Sequence, residues 1–242
     1  GSLTPGVPIP NGGLTGPNVA TPPTGPGLSV GPGIPGKPSG LNKIGADIGF
    51  IIDGSSAIGE ANFKALLDFV KSVSKEFVVP DLGNNVALIV LDDNGANLVF
   101  DLTPFQNIEH LEKRLSLIQY PPPSSSSNPQ SLYRALILAQ EIVFGASARL
   151  KSSKYLISVT SGNTAPNIQQ VSSSLQSEGV EMFVVDLSPT PNPDLMQLVS
   201  KPDVNHVFKA DVSDPNKFGE RLVTVAQAIV PVFNASSHAP IT

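Results

Sequence analysis

The 242-residue chain has no cysteine and no tryptophan, three tyrosines and three histidines, and only 14% of its residues are charged. Each shortage removes a class of chemistry. Without cysteine there are no disulfides, no zinc–thiolate sites and no thiol nucleophile. With so few aromatic rings, the surface lacks the platforms on which bases or sugars stack. Fifteen Lys and Arg against twenty Asp and Glu give a net charge of −5, and no stretch gathers the basic residues into a phosphate-binding face. Nucleic acid is therefore not an expected partner. The apolar runs are of strand length, far short of a spanning helix, and the N-terminus carries no charged-then-apolar signal pattern, so no membrane insertion is expected.

Catalytic motifs are missing too. No Gly-x-Ser-x-Gly elbow occurs, and His110, His206 and His238 fall on separate predicted elements, away from any serine at a strand end. Gly54-Ser55-Ser56-Ala57-Ile58-Gly59 has the glycine spacing of a phosphate loop, but Glu60 and Ala61 stand where a lysine and a hydroxyl would hold phosphate and Mg²⁺. The chain does not read as an enzyme.

Proline and glycine, by contrast, are plentiful at 24 and 21 residues. Gly1 to Lys43 is Pro, Gly, Ser, Thr and Asn with scattered single aliphatics, too little apolar surface to offset chain entropy, and it reads as an extended linker or arm. Gly31, Gly33, Gly36 and Gly40 break any period of three, which excludes a collagen triple helix. Apolar periodic segments then recur, and residues 44–233 are read as one domain followed by a C-terminal linker, 234–242. Asn234-Ala235-Ser236 is a glycosylation sequon, placed by this reading just past the last helix.

Within the domain, strand and helix patterns alternate. Strands are predicted at Asp47 to Asp53, Val86 to Leu91, Asn97 to Leu102, Tyr155 to Thr160, Val180 to Leu187 and His206 to Lys209. Asp93-Asn94-Gly95 reads as a tight turn, which makes the third strand an antiparallel edge. Helices are predicted at Glu60 to Phe77, Asn107 to Ile118, Gln130 to Phe144, Pro166 to Glu178, near Asp194 to Ser200, and Pro215 to Val230, with Tyr120 to Pro129 as a Pro/Ser loop. Such alternation predicts an α/β fold, a mostly parallel sheet covered by helices on both faces.

The most informative stretch is Asp47-Ile48-Gly49-Phe50-Ile51-Ile52-Asp53-Gly54-Ser55-Ser56-Ala57. An unbroken apolar run ending in an acid, a glycine and two serines, then a helix, reads as a buried parallel strand that delivers oxygen ligands to its carboxyl end, where open α/β sheets bind ligands. The motif resembles the first element, Asp-x-Ser-x-Ser, of the metal-ion-dependent adhesion site of von Willebrand factor type A domains. Ala46 to Asp81 resembles the extracellular matrix group of these domains, that of cochlin, vitrin, matrilins and collagen VI. The likeness continues through Ser158-Val159-Thr160-Ser161-Gly162 and Met182-Phe183-Val184-Val185-Asp186, over roughly four-fifths of the chain.

The resemblance implies a doubly wound six-stranded sheet of order 3-2-1-4-5-6, with the crevice between strands one and four. It also implies a site for Mg²⁺ or another divalent cation. Asp53 and Ser55 match its pattern, Ala57 stands where it has a serine, and Ser161 stands where it has an aspartate. Ser125, Ser127 or Ser131 is the counterpart of its loop threonine. A hard dication wants about six oxygens, one or two of them carboxylate. Losing a carboxylate matters, because a charge pair at about 4 Å is worth about 4 kcal/mol at an effective protein dielectric, before desolvation. Two roles stand open for Asp53: cation ligand, or acceptor of hydrogen bonds from Ser55 and the backbone at the helix start. Asp92 and Asp186, at the ends of flanking strands, are either supporting carboxylates or turn-makers.

The function implied is that of a secreted, non-catalytic adhesion or assembly module of the extracellular matrix. Its expected partners are collagen-like or other matrix proteins, or copies of itself, without an obligatory metal. The alternatives are metal-assisted adhesion through Asp53 and Ser55, and a structural fibre or matrix subunit polymerising through the N-terminal arm.

Overall fold

The computed structural model describes residues 45–76, 84–105, 107–125, 128–150, 152–162 and 167–236; the predicted arm, Phe77, Ser127 and Pro166 lie outside them. Six strands form one sheet: β1 (Ala46–Asp53), β2 (Asn85–Leu91), β3 (Ala96–Pro104), β4 (Ser153–Thr160), β5 (Val180–Asp186) and β6 (Val207–Lys209). Their order is β3-β2-β1-β4-β5-β6, as the resemblance implies. All neighbours are parallel except β2 and β3, which are joined through the Asp93-Asn94 turn and shift register twice, between Val86 and Leu88 and between Leu88 and Ile89.

Five α-helices cover the sheet: α1 (Glu60–Glu76), α2 (Ile108–Ser116), α3 (Ser131–Leu138), α4 (Ile168–Ser177) and α5 (Pro215–Ser236). The period-two alternation of β1 sends Ile48, Phe50 and Ile52 into a core with Phe63, Val70 and Phe218 of α1 and α5. Ile51 points the other way, into a second core with Leu136 of α3 and Val171 and Leu175 of α4. Every residue of β1 is buried, which is why its sequence is continuous apolar rather than alternating.

Three elements differ from their predicted form. The Gln130 to Phe144 helix is α-helical only to Leu138 and widens into a π-helix over Ala139–Phe144. The Asp194 to Ser200 helix is a single 3₁₀ segment, Pro193–Gln197. The last helix runs past Pro231 to Ser236, because Val232 continues the buried stripe one turn beyond Ile229 and proline removes only one hydrogen bond near a helix end. No helix among the described residues is long and apolar enough to cross a membrane.

At the amino end of β1, Asp47 is fully buried. Arg149 Nε and Nη2 reach its Oδ1 at 2.9 and 2.8 Å, the Arg149 backbone N–H donates to Oδ2 at 2.7 Å, and the Ser152 hydroxyl donates to Oδ2 at 2.5 Å. This cluster ties the segment before β4 to the start of β1. Removing one partner of such a pair strands the other, so Asp47→Ala is expected to lower unfolding free energy by about 2–3 kcal/mol, discounted because Arg149 is partly solvated. Urea denaturation with an unchanged m-value would show this; a loss well below 1 kcal/mol would mean that the cluster is not a clasp.

Candidate functional site

The carboxyl ends of β1 and β4 open into a crevice of 140 Å³, lined by residues that include Asp53, Ser55, Asp93, Ser131, Thr160 and Ser161. Its position follows from the strand order, since connections from β1 and β4 depart to opposite faces of the sheet there.

Asp53 lies at the centre and is 3% exposed. Its Oδ1 accepts the Ser55 N–H at 3.0 Å; its Oδ2 accepts the Ser161 N–H at 3.0 Å and the Ser161 hydroxyl at 2.7 Å. Three donors to one carboxylate satisfy it without any ion. Two glycines permit this approach. A Cβ on Gly54 would sit 3.0 Å from Leu91 O, Val90 Cγ1 and Pro121 Cγ, so only glycine lets the chain leave β1 this close to β2 and the Pro/Ser loop. Gly162 has φ +75°, and a Cβ there would meet Asn192 Nδ2 at 2.8 Å, so only glycine fits directly after Ser161.

A second carboxylate at the crevice belongs to Asp93, 4% exposed, which the sequence reading treats only as part of a turn. The Ser56 N–H donates to both its oxygens at 3.2 Å and the Ser124 N–H to Oδ2 at 3.0 Å, so Asp93 joins the β1–α1 loop to the Pro/Ser loop. Burial pushes its carboxyl up, but the backbone bonds from Ser124 and Ser56 and the Ser56 side chain outweigh that and hold it below the ordinary value of 3.8. The signal was present: Asp93 follows the end of β2, and β2 neighbours β1 in the expected order.

The Pro/Ser loop is fixed from a third direction by Tyr120, whose hydroxyl donates to Ser55 O at 2.9 Å while its ring lies 5.6 Å from that of Phe63. Burial raises its phenol above the usual range, and the carboxylates of Asp93, Asp53 and Glu60 add to this against a Gly59 backbone bond. Ser131 opens α3 and spends its hydroxyl proton on Asp92 O at 2.9 Å and Asn128 O at 3.0 Å. Ser125 is exposed and is not among the crevice's lining residues, and Ser127 lies outside the described residues. Ala57 is exposed and brings no oxygen side chain.

The flanking acids serve turns. Asp92 accepts the N–H groups of Asn94 and Gly95 at 2.8 Å, and Asp186 accepts those of Ser188 at 2.9 Å and Asn192 at 3.2 Å besides pairing with Lys209 at 3.1 Å. Asn234 lies in the final turn of α5, within the helix and not beyond it. His206 is buried at the start of β6, with its ring nitrogens 2.9 Å from Pro202 O and from Glu181 Oε1.

The donor set falls short of a resident dication. One central carboxylate has both oxygens engaged by internal donors, the neighbouring carboxylate is engaged elsewhere, and position 57 supplies nothing. The residues as they stand do not fit the cation that the motif's first element implies.

The family model of the von Willebrand factor type A domain matches residues 47–220. Human cochlin is 27% identical over 162 residues, which are 67% of this chain and 28% of that protein. Mouse vitrin is 27% identical over 169 residues, 70% of this chain and 25% of that protein. The chain thus spans about a quarter of the length of these curated relatives. Among solved structures, proximal thread matrix protein 1 of the mussel byssus superposes with a TM-score of 0.64 at 20% identity, over 78% of this chain and 48% of that one. The mussel protein has also been solved with its metal-ion-dependent adhesion site occupied by zinc.

Because the folded Asp93 carboxyl is held below its unfolded value, the stability it contributes is present above the ordinary carboxylate range and is lost as pH falls through the folded value. Asp93→Asn is expected to be less stable than wild type by about 1–2 kcal/mol at neutral pH, and the gap should close below about pH 4. Denaturant melts across pH test this; a gap that widens in acid would reverse the assignment.

Proposed function

The chain belongs to the von Willebrand factor type A family, and on that premise we propose that it is a non-catalytic adhesion or assembly module of the extracellular matrix, binding protein partners without an obligatory metal. The observation that carries this reading is the internally satisfied Asp53 at the carboxyl end of β1, whose carboxylate is set by hydrogen bonds from Ser55 and Ser161. The similarity to cochlin and vitrin supports a secreted setting. The crevice's lining supports a non-catalytic role: among the described residues it contains no histidine or lysine, and its two buried aspartates already accept several bonds each, leaving no poised base there beside Ser55.

In this reading, the rim formed by Ser55, Ser56 and the Pro/Ser loop is the contact surface. A rim fixed by Tyr120, Asp93 and Asp53 loses little conformational freedom on binding, which favours affinity. The zinc of the mussel protein is not carried over, because the donor set here differs. The Pro/Gly segment 1–43 acts as a spacer that gives the module reach and allows multivalent contact.

Surface plasmon resonance of the full chain over immobilised fibrillar collagen, and over the chain itself, tests the proposal. Saturable micromolar binding, equal in EDTA and in millimolar Mg²⁺ and weakened by Ser56→Arg at the rim, is the expected result. Binding abolished by EDTA would overturn the metal-free reading. Concentration-dependent assembly that requires residues 1–43 would replace adhesion by a structural subunit.

A further inference from the structure

The Asp53 carboxylate receives its donors from two different loops. Ser55 follows β1, whereas Ser161 follows β4, so one buried acid bridges the ends of two adjacent strands. A carboxylate this far from water must be compensated, and a metal ion or a set of hydrogen-bond donors can serve. Ser161 presents two of the three donors, its N–H and its hydroxyl, both to Oδ2 at 3.0 and 2.7 Å.

We propose that Ser161 is a built-in substitute for the cation: its hydroxyl occupies the coordinating side of Asp53 and holds the crevice in one geometry whatever the divalent ion concentration. The proposal rests on the metal-free reading above and names the residue responsible for it. Two features of the site favour it. Asp93 is not free to turn toward an ion at Asp53, because Ser56 and Ser124 hold both its oxygens. Ala57 lines the crevice but brings no side-chain oxygen to it. An ion approaching Asp53 would have to displace the Ser161 proton from a charge-assisted bond, and position 161 would then offer it only a neutral hydroxyl oxygen beside the single Asp53 carboxylate. Ser161 is thus a positioning residue, which acts through Asp53 on the shape of the rim.

The proposal is tested on the full chain by thermal unfolding in EDTA and in millimolar Mg²⁺ or Mn²⁺, with Mn²⁺ titration calorimetry in parallel, for wild type, Ser161→Ala and Ser161→Asp. Wild type is expected to melt at the same temperature in all three solutions and to give no saturable heat. Ser161→Ala should melt lower by about 4 °C in EDTA. Ser161→Asp should melt lower still in EDTA, through repulsion between the two acids, and recover with Mn²⁺ together with a saturable heat absent from wild type. A wild-type melting temperature that rises with Mg²⁺, or an unchanged melt for Ser161→Ala, would overturn the proposal, and both remain readable if Ser161→Asp does not fold. These readouts need no binding partner, so failure of the adhesion reading alone would leave them unchanged.

Discussion

A strand buried on both faces meets water only at its two ends, and the rest of this structure is arranged around that constraint on β1. Both ends carry an aspartate, and both aspartates are shut away: Asp47 is fully buried and Asp53 is 3% exposed. Each finds donors in the segments flanking β4, from Arg149 and Ser152 before the strand and from Ser161 after it, and Asp53 takes one more from Ser55. The pairing of β1 with β4 is therefore fastened at both ends by a carboxylate. The two fastenings differ in kind. At the amino end the partner is a guanidinium with a full charge; at the carboxyl end it is a neutral hydroxyl aided by backbone dipoles.

That difference separates scaffold from surface. The charged clasp lies at the end of the sheet away from the crevice, where it locks strand register. The neutral clasp sits under the loops of the crevice, and its acid is joined there by Asp93, which reaches across from β2 to hold the β1–α1 and Pro/Ser loops together. Tyr120 adds a third attachment from the far side of the same loop. Loops with so many prolines and serines have little apolar surface with which to hold themselves, so these polar contacts, all directed at a few residues after β1, do what a hydrophobic core does elsewhere.

Much of this was legible in the sequence because the signals are local. Ile48 to Ile52 announced a central strand by having no polar face, the Asp93-Asn94-Gly95 turn announced the antiparallel edge, and Asp53-Gly54-Ser55 announced an acid and a hydroxyl at the crevice beyond that strand. What escaped depends on contacts between distant segments. Asp93 looks like any turn aspartate until β2 is placed beside β1. That Ser131 lines the crevice and Ser125 does not depends on how the chain enters α3. The run of α5 through Pro231 depends on Val232 finding the core, which outweighs a local preference for stopping.

The two outer strands bear on how densely such a molecule can be crowded. One margin of the sheet, β6, is only three residues long; the other, β3, carries the irregular register opposite Val86 to Ile89, an exposed Asp101 and a terminal Pro104. A short margin and a kinked, charged one give a second sheet no flat ladder to extend. A domain with such margins is guarded against stacking into a cross-β aggregate, so any contacts between copies fall to side-chain surfaces and loops. At high local concentration such a domain would stay individually folded for that reason.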